Sequence, residues 1–195
     1  MSSAPHPPRP LEEIFAPIGG HKNGCTLAEY LHFAREVRAR APARLLVFGV
    51  GEDSAAWIEA NAGGTTLFLE DNPEWIGKIA ATTGGRAIRQ VRYALPFDDW
   101  AAADYALEAL ALPDPAADLA DRSWDLAFVD GPWGPTTGRH QSTFAATRAV
   151  RAGGLVALHD CERDREQLIC RHILEAQGFE TVSEVERLRL YRAPA

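Results

Sequence analysis

The feature that most constrains the fold is a short apolar run in the first third of the chain. Residues 45–51 read Leu-Leu-Val-Phe-Gly-Val-Gly, so the run is continuously apolar and ends in glycines. A strand without polar alternation needs cover on both faces, which is typical of a parallel sheet between two layers of helices. We therefore expect this run to be an inner strand of an α/β domain.

The alternation of apolar runs and helical patterns continues to the C-terminus. Further strands are predicted at 66–69, 88–93, 124–129 and 155–158. Helices are predicted at 54–62, at 101–112, at 140–151 and at 163–176, and one more begins at residue 72. Two final strand-like runs, 179–185 and 188–192, are joined too tightly for a crossover helix and must be antiparallel. The pattern predicts a doubly wound, mostly parallel, seven-stranded sheet of the Rossmann-like class with a C-terminal antiparallel hairpin.

The N-terminal segment carries two further signals. Four of the first ten residues are proline, and we expect a flexible arm over residues 1–20, with the domain itself at 21–195. Thr26 and Glu29 have the spacing of a capping box, in which each side chain satisfies a backbone N–H group at a helix start. A helix is therefore predicted to run from there to about Arg40.

Composition excludes several kinds of partner. The 195 residues suffice for one domain, and Asp and Glu outnumber Lys and Arg by 27 to 20, which argues against a nucleic-acid partner. No apolar stretch approaches the ~20 residues that span a bilayer, and the first residues lack the apolar core of a signal peptide. We expect a cytoplasmic protein without a membrane partner. The sequence does not decide whether the protein forms a homo-oligomer. The three cysteines are too few and too scattered for a disulfide framework or a zinc site.

Two of the predicted strands end in residues suited to a nucleotide-like cofactor. In open α/β sheets a ligand lies beyond the carboxyl ends of the strands. There, Gly49 and Gly51 let the backbone pass close under a ligand. The loop continues through Glu52 to Ser54, which replaces the third glycine of a dinucleotide fingerprint.

The second strand is followed by two acids, Glu70 and Asp71. An acid at this place can accept hydrogen bonds from both ribose hydroxyls of a bound nucleoside, as in nicotinamide and S-adenosylmethionine binders. The alternative is that these acids only stabilise the adjoining helix N-terminus.

The fourth and fifth strands end in acidic residues that should meet in one cleft. Asp130 follows the fourth strand, and His159 and Asp160 follow the fifth. Converging buried carboxylates need an explanation, because an unpaired buried charge is costly. One explanation is a divalent cation such as Mg²⁺ held by Asp130 and Asp160. The other is acid–base catalysis, in which one of the acids or His159 takes a proton from the acceptor. A structural role for these residues is the third.

Two residues after the fourth strand are candidates for contact with an acceptor. Trp133 lies in a rigid Gly-Pro-Trp-Gly-Pro segment and could present its ring to a sugar. Arg139 could form a forked pair with a carboxylate. The alternatives are a tryptophan packed on the domain and a solvated surface arginine.

Several segments together resemble the glucuronoxylan 4-O-methyltransferase family of plant cell-wall synthesis. They occur in the family's order and comprise residues 46–54, 69–76 (Leu-Glu-Asp-Asn-Pro-Glu-Trp-Ile), 124–132, 138–139, 159–160 and 162–163. The likeness covers roughly residues 26 to 175, and the second and third segments are more specific than the glycine loop.

The resemblance implies a class I methyltransferase that transfers a methyl group from S-adenosylmethionine to the 4-hydroxyl of glucuronic acid, with a divalent cation as a further expectation. It places cofactor contacts at Gly49, Gly51 and Glu70, and catalytic contacts near the acids after strands four and five. The family usually has His where this chain has Glu52, and the plant enzymes carry a membrane anchor and longer loops. The acceptor is therefore expected to be a sugar, a uronic acid or a related small polar molecule.

Two other classes of function remain open at this level. A nicotinamide-dependent oxidoreductase would need the third glycine and a hydride-transfer set such as Tyr-Lys, and neither is evident. A non-catalytic nucleoside-binding module could share the fold, because fold does not fix function.

Overall fold

The computed structural model describes residues 8–20, 24–84, 87–113, 119, 121–132 and 139–195. The strands are β1 (Arg44–Phe48), β2 (Thr65–Glu70), β3 (Ile88–Gln90), β4 (Trp124–Val129), β5 (Val150–Leu158), β6 (Glu180–Val185) and β7 (Leu188–Arg192). The helices are α1 (Leu11–Phe15), α2 (Leu27–Arg40), α3 (Ser54–Ala60), α4 (Pro73–Thr83), α5 (Phe97–Ala102), α6 (His140–Ala149) and α7 (Asp164–Ile169). The last of these continues through a π-helical turn, Cys170–Leu174, into a 3₁₀ turn, Glu175–Gln177.

The seven strands form one sheet in the order β3-β2-β1-β4-β5-β7-β6. The first five pair in parallel, whereas β7 runs antiparallel to both β5 and β6. Strand order reverses between β1 and β4, so a ligand crevice is expected at the carboxyl ends of these two strands. The doubly wound sheet with its antiparallel hairpin is confirmed.

The apolar runs are explained by two cores, one on each face of the sheet. Successive residues of a strand point to opposite faces. In β1, Leu46 and Phe48 belong to one core, while Leu45 and Val47 belong to the other. The second core includes Trp57 of α3, whose ring centroid lies 5.0 Å from that of Phe128. Because both faces are covered, the inner strands carry no polar alternation.

Two helix starts follow the sequence signals. The Thr26 hydroxyl accepts from the Glu29 N–H at 3.2 Å, and the Glu29 carboxylate accepts from the Thr26 N–H at 2.7 Å, so the capping box is confirmed. Asn72 caps α4 through a hydrogen bond from the Glu74 N–H at 2.9 Å. These local bonds fix where α2 and α4 begin.

The predicted helix at 101–112 is wrong. Helix α5 ends at Ala102, and a short 3₁₀ turn, Leu107–Leu110, follows. The helix cannot continue because Asp104 and Tyr105 have positive φ angles of 53° and 58°. Strand β3 is also shorter than predicted, and β5 begins five residues earlier, at Val150.

The predicted flexible arm over residues 1–20 also needs correction. Its second half contains α1, whose Leu11, Ile14 and Phe15 are buried in the core that includes Trp57. The ring of Phe15 lies 4.8 Å from that of Trp57, centroid to centroid. Apolar burial therefore anchors the segment from residue 11. None of the helices in the described part of the chain is long and apolar enough to cross a membrane.

Candidate active site

The carboxyl ends of four parallel strands lie side by side through backbone hydrogen bonds that continue past the strands. The Gly49 N–H donates to Leu69 O at 2.8 Å, and the Asp130 N–H donates to Phe48 O at 3.1 Å. The His159 N–H donates to a carbonyl at the end of β4, at 3.1 Å. The loops after β1, β2, β4 and β5 therefore form one edge, and the predicted site residues that the structure describes lie along it or next to it.

The loops after β1 and β4 touch at two glycines. Gly49 has a φ of 106°, a backbone conformation that other residues rarely adopt. A Cβ atom on Gly131 would lie only 2.9 Å from the Gly49 backbone. Glycine is needed at both positions, one for its conformation and the other for close approach. The sequence predicted that Gly49 lets the backbone pass close under a ligand. Within the described residues, the close approach at Gly49 is to the loop after β4.

Glu70 connects the loops after β1 and β2. One carboxylate oxygen accepts from the Val50 N–H at 2.9 Å, and the other accepts from the N–H groups of Asp71 and Asn72 at 3.1 and 2.8 Å. The side chain is buried, and this desolvation raises its pKa even though hydrogen bonds from Asn72 and Val50 oppose the shift. A carboxylate has about four acceptor positions, so these three donors leave room for about one more.

The other predicted cofactor residues differ in accessibility. The hydroxyl of buried Ser54 accepts from the Gly51 N–H at 3.1 Å, so these two residues shape the loop. Glu52 is exposed, and its carboxylate lies 3.8 Å from the Lys78 ammonium group. Asp71 is half-buried beside Glu70.

Asp53, in the same loop, is a candidate that the sequence analysis missed. Its carboxylate accepts from the indole N–H of Trp57 at 2.9 Å. Burial and the nearby charge of Asp130 raise the pKa of Asp53 to about 6, although hydrogen bonds from Trp57 and Tyr30 lower it. A partly buried carboxylate that feels the charge of a second one favours a positively charged ligand.

His159 lies between two carboxylates. Its Nδ1 is 2.9 Å from Asp130 Oδ1, and its Nε2 is 3.2 Å from Glu29 Oε2. A neutral imidazole has one N–H group, so donation to both acids requires the doubly protonated, cationic ring. Burial lowers the pKa of His159, but the hydrogen bond and charge of Asp130 and the charge of Asp160 raise it above its ordinary value.

The cationic ring argues against one of the alternatives left open by the sequence, in which His159 rather than an acid takes a proton from an acceptor. An imidazolium has no lone pair to accept a proton, and the side chain is fully buried. His159 is instead a positioning residue for Asp130. Glu29 was identified from the sequence only as half of a capping box, and its second role had no local signal.

Arg139 is buried and occupies the space between the two predicted metal ligands. Its Nη2 donates to Asp130 Oδ1 at 3.0 Å, and its Nη1 donates to Asp160 Oδ2. Its Nη1 also lies 3.7 Å from a Glu166 oxygen. Burial lowers the pKa of Arg139, but the charges of Asp130 and Asp160 outweigh this effect and raise it.

This guanidinium corrects two predictions. Asp130 and Asp160 already share one cation, and a divalent ion between them would be repelled by Arg139, so the pair does not fit the predicted metal site. Arg139 is 5% exposed, so its fork is not available to an acceptor carboxylate.

Asp160 is held by a further pair of arginines. Arg163 lies 2.9 Å from its Oδ2, and Arg187 lies 3.3 Å from its Oδ1. The surrounding cations outweigh the opposing effect of burial and lower the pKa of Asp160, with Arg139 contributing most. Because both oxygens are engaged and the residue is 3% exposed, the geometry gives Asp160 a positioning role.

Arg187 joins the hairpin to the start of α2. Its backbone N–H donates to Glu29 Oε1 at 2.8 Å, and its Nη2 donates to Glu29 Oε2 at 3.0 Å. Burial raises the pKa of Glu29, but hydrogen bonds from Thr26 and Arg187 and the charge of His159 lower it overall. Glu29 therefore stays ionised at zero exposure.

Asp130 is the member of this cluster that reaches the surface. Its side chain is 26% exposed, against 1% for His159 and 4% for Asp160. The side-chain contacts that it makes with other described residues all involve Oδ1. Within the described part of the chain Oδ2 has no such contact, so it is the oxygen of this partly exposed side chain that can accept a further donor.

A second set of metal-ligand types lies at the same place. Ligand atoms of Cys25, Asp130 and His159 are within 4.8 Å of one another. Each nitrogen of His159 lies beside a carboxylate, and burial raises the pKa of the Cys25 thiol well above its usual range. The three cysteines are free and buried. The predicted acceptor contact Trp133 lies outside the described residues.

The chain is similar to proteins of known class. The family model described as IRX15/IRX15L/GXM matches residues 28–104. Glucuronoxylan 4-O-methyltransferase 1 of Arabidopsis thaliana is 30% identical over 193 residues, covering 87% of this chain and 68% of that protein. Arabinogalactan O-methyltransferase 2 of the same plant is 30% identical over 165 residues, covering 71% of this chain and 57% of that protein.

The fold has a counterpart among solved structures. A SAM-dependent O-methyltransferase from Thermotoga maritima superposes with a TM-score of 0.61 at 13% identity, over 96% of this chain and 72% of that one. This likeness shows that the chain has the class I methyltransferase fold. The chain spans about half the length of most of the curated relatives that it matches. Since it covers more than two thirds of glucuronoxylan 4-O-methyltransferase 1 at 30% identity, the chain belongs to the IRX15/IRX15L/GXM family.

Proposed function

We propose that this protein transfers a methyl group from S-adenosylmethionine to a hydroxyl group of a sugar. The observation that carries the proposal is the position of Asp130. It is the accessible carboxylate of a buried charged cluster, at the edge of a methyltransferase-type sheet. Membership in a family whose relatives are named as O-methyltransferases of glucuronoxylan and arabinogalactan supports the reaction class.

The cofactor would lie across the loops after β1 and β2. The loop from Gly49 to Ser54 provides close approach to the backbone, and Glu70 has acceptor capacity for a ribose hydroxyl. S-Adenosylmethionine carries an ammonium and a sulfonium group, both positive. Asp53 and Asp130 provide the negative surroundings that such a ligand needs.

The chemical step is a displacement at the methyl carbon. The acceptor oxygen forms a bond to that carbon, and the electron pair of the breaking carbon–sulfur bond returns to sulfur, which leaves S-adenosylhomocysteine. The hydroxyl proton passes to Oδ2 of Asp130. His159 and Arg139 contribute by fixing Oδ1 of the same carboxylate, which orients the base before the reaction.

The acceptor is a sugar that carries a carboxylate, as in uronic acids. Arg139 is buried, so another cation must meet the acceptor. Arg163 has a side chain that is 56% exposed and lies beside Asp160, next to the cluster. It replaces Arg139 as the residue proposed to pair with the carboxylate.

The test is transfer of a labelled methyl group from S-adenosylmethionine to a panel of acceptors. The panel contains glucuronic-acid-bearing xylan and arabinogalactan oligosaccharides, and the same oligosaccharides with the carboxyl group reduced to an alcohol. We expect label on the uronic-acid acceptors, and a higher KM for them in Arg163→Ala with the KM for S-adenosylmethionine unchanged. Label on the reduced oligosaccharides alone, or on no acceptor, would contradict the proposal.

A further inference from the structure

The segment that follows β3 is held rigidly beside the proposed cofactor site. The Val91 N–H donates to Glu70 O at 2.9 Å. Further on, the Gln141 side-chain oxygen accepts from the N–H groups of Ala94 and Leu95, both at 2.9 Å. The His140 ring also bonds to the Leu95 carbonyl at 2.9 Å. Tyr93 lies between these anchors, directly before Ala94, and therefore has a fixed backbone.

The hydroxyl of Tyr93 has no hydrogen-bond partner among the residues that the structure describes. The side chain is only 8% exposed and packs in the core that contains Phe97. A buried polar atom without a partner is costly, and native proteins contain few of them. The cost is removed if a bound molecule supplies the missing partner.

The surroundings of this hydroxyl are acidic. Burial raises the pKa of Tyr93 well above its usual range, and the charges of Asp71 and Glu70 raise it further. Tyr93 therefore stays neutral and keeps a proton to donate. The hydrogen bond from the Val91 N–H to Glu70 O, two residues before Tyr93, places this segment beside the end of β2, where the ribose is proposed to bind.

Glu70 alone cannot satisfy a ribose. Its carboxylate already accepts from three backbone N–H groups, which leaves capacity for about one further donor. A ribose has two vicinal hydroxyls, so one of them needs another partner. We propose that the Tyr93 hydroxyl binds the ribose hydroxyl that Glu70 leaves unmatched, and so contributes to recognition of the cofactor.

This inference rests on the proposed function, and Tyr93→Phe tests it. The substitution removes one hydroxyl and keeps the ring. Without ligand, the variant should melt at the same temperature as the wild type or higher, because an unsatisfied polar atom is lost. With S-adenosylhomocysteine, calorimetry should show a Kd about 5- to 10-fold higher, equal to about 1–1.4 kcal/mol.

Tyr191→Phe is the matched control. The Tyr191 hydroxyl is partnered, by Arg189 at 3.3 Å and Glu175 at 3.5 Å, and lies in β7. This variant should lower the melting temperature and leave the Kd for S-adenosylhomocysteine unchanged. Tyr93→Phe should therefore raise the Kd without lowering the melting temperature, and Tyr191→Phe should lower the melting temperature without raising the Kd.

Deoxy analogues identify the contacted group. The affinity loss of Tyr93→Phe should persist with one of the 2′-deoxy and 3′-deoxy analogues of S-adenosylhomocysteine and vanish with the other. If the wild type binds S-adenosylhomocysteine, an equal loss with both analogues or an unchanged Kd in Tyr93→Phe would overturn this inference and leave the proposed function standing. A wild type that does not bind S-adenosylhomocysteine would overturn the proposed function as well.

Discussion

The imidazole of His159 has a carboxylate at each nitrogen, and this decides which residue of the cluster can take a proton. The Oδ1 atom of Asp130 contacts both His159 and Arg139, and Oδ2 has no such contact among the described residues. A carboxylate held by two cations through one oxygen has a fixed orientation. In the proposed mechanism its other oxygen is therefore directed at the hydroxyl before the methyl group moves.

Replacing Asp130 by Asn tests this assignment. We expect kcat to fall by about 10²- to 10⁴-fold, the usual contribution of a general base. The Kd for S-adenosylhomocysteine should change far less than kcat. Rapid-quench measurements of labelled methyl transfer, together with calorimetry, separate the two effects. A kcat within about threefold of the wild type, in a folded variant, would remove Asp130 from the mechanism.

Asp53 gives the protein a pH-dependent stability. Its pKa of about 6 in the folded state lies above its ordinary value of 3.8. Between these two pH values the Asp53 carboxyl is therefore mostly protonated in the folded protein and mostly ionised in the unfolded chain. The stability that this group contributes is present below about pH 4 and is lost as pH rises through about 6. An asparagine side chain at this position cannot ionise, so the substitution removes the pH dependence.

The free energy of unfolding of Asp53→Asn, relative to the wild type, should therefore rise between pH 4 and 7. The expected gain is on the order of 1–3 kcal/mol. Urea denaturation at a series of pH values measures it. A difference that stays constant over this range would show that Asp53 is not perturbed in the folded protein.

At the scale of elements, the site depends on loops that approach one another closely. The loops after β1 and β4 touch at Gly49 and Gly131, which brings the predicted cofactor loop against the Asp130 loop. The glycine sequence at the end of β1 predicted close approach to a ligand. Its packing against another loop could not be predicted, because the partner glycine is about 80 residues away in the chain.

Gly131→Ala should be destabilising. The new Cβ would lie 2.9–3.0 Å from backbone atoms of Gly49 and Phe48, which cannot move as a flexible side chain would. We expect a loss of about 1–3 kcal/mol, as for overpacked sites, and weaker cofactor binding. Gly77→Ala is the control, because a Cβ there meets nothing within 4 Å and Gly77 lies inside α4.

The control should be neutral or more stable by about 0.5–1 kcal/mol, since alanine is favoured over glycine inside a helix. Chemical denaturation of both variants gives the comparison. If Gly131→Ala were as stable as the wild type, the close packing of the two loops would not be a constraint.

At the scale of the whole molecule, the order of strands was predictable because each apolar run is a local signal. The edge that holds the proposed site was predictable to the level of strand ends, which is how Glu70 and Asp130 became candidates. The ion network was not, because it joins residues far apart in the chain. Glu29 bonds to His159 across 130 positions and to Arg187 across 158. A capping residue and a hairpin arginine carry no sequence pattern that reports such partners.

Glu29→Gln tests the network. It removes a fully buried charge that faces His159 and Arg187, leaving both cations with one acid fewer. We expect a loss of about 3–5 kcal/mol, the usual cost of breaking a buried ion pair from one side. Glu36→Gln on the same helix, whose partner Arg40 is also partly exposed, should cost at most about 0.5 kcal/mol. Equal and small losses in the two variants would show that the buried network adds little stability.

The proposed function requires a methyl donor bound at the carboxyl ends of β1, β2 and β4, with its reactive group facing Asp130. A crystal structure of the complex with S-adenosylhomocysteine will show whether the donor binds there. We expect the ribose against Glu70, the amino acid portion near Asp53, and the sulfur directed towards Oδ2 of Asp130. A ligand bound elsewhere on the domain, or with its sulfur turned away from Asp130, would refute the proposed function.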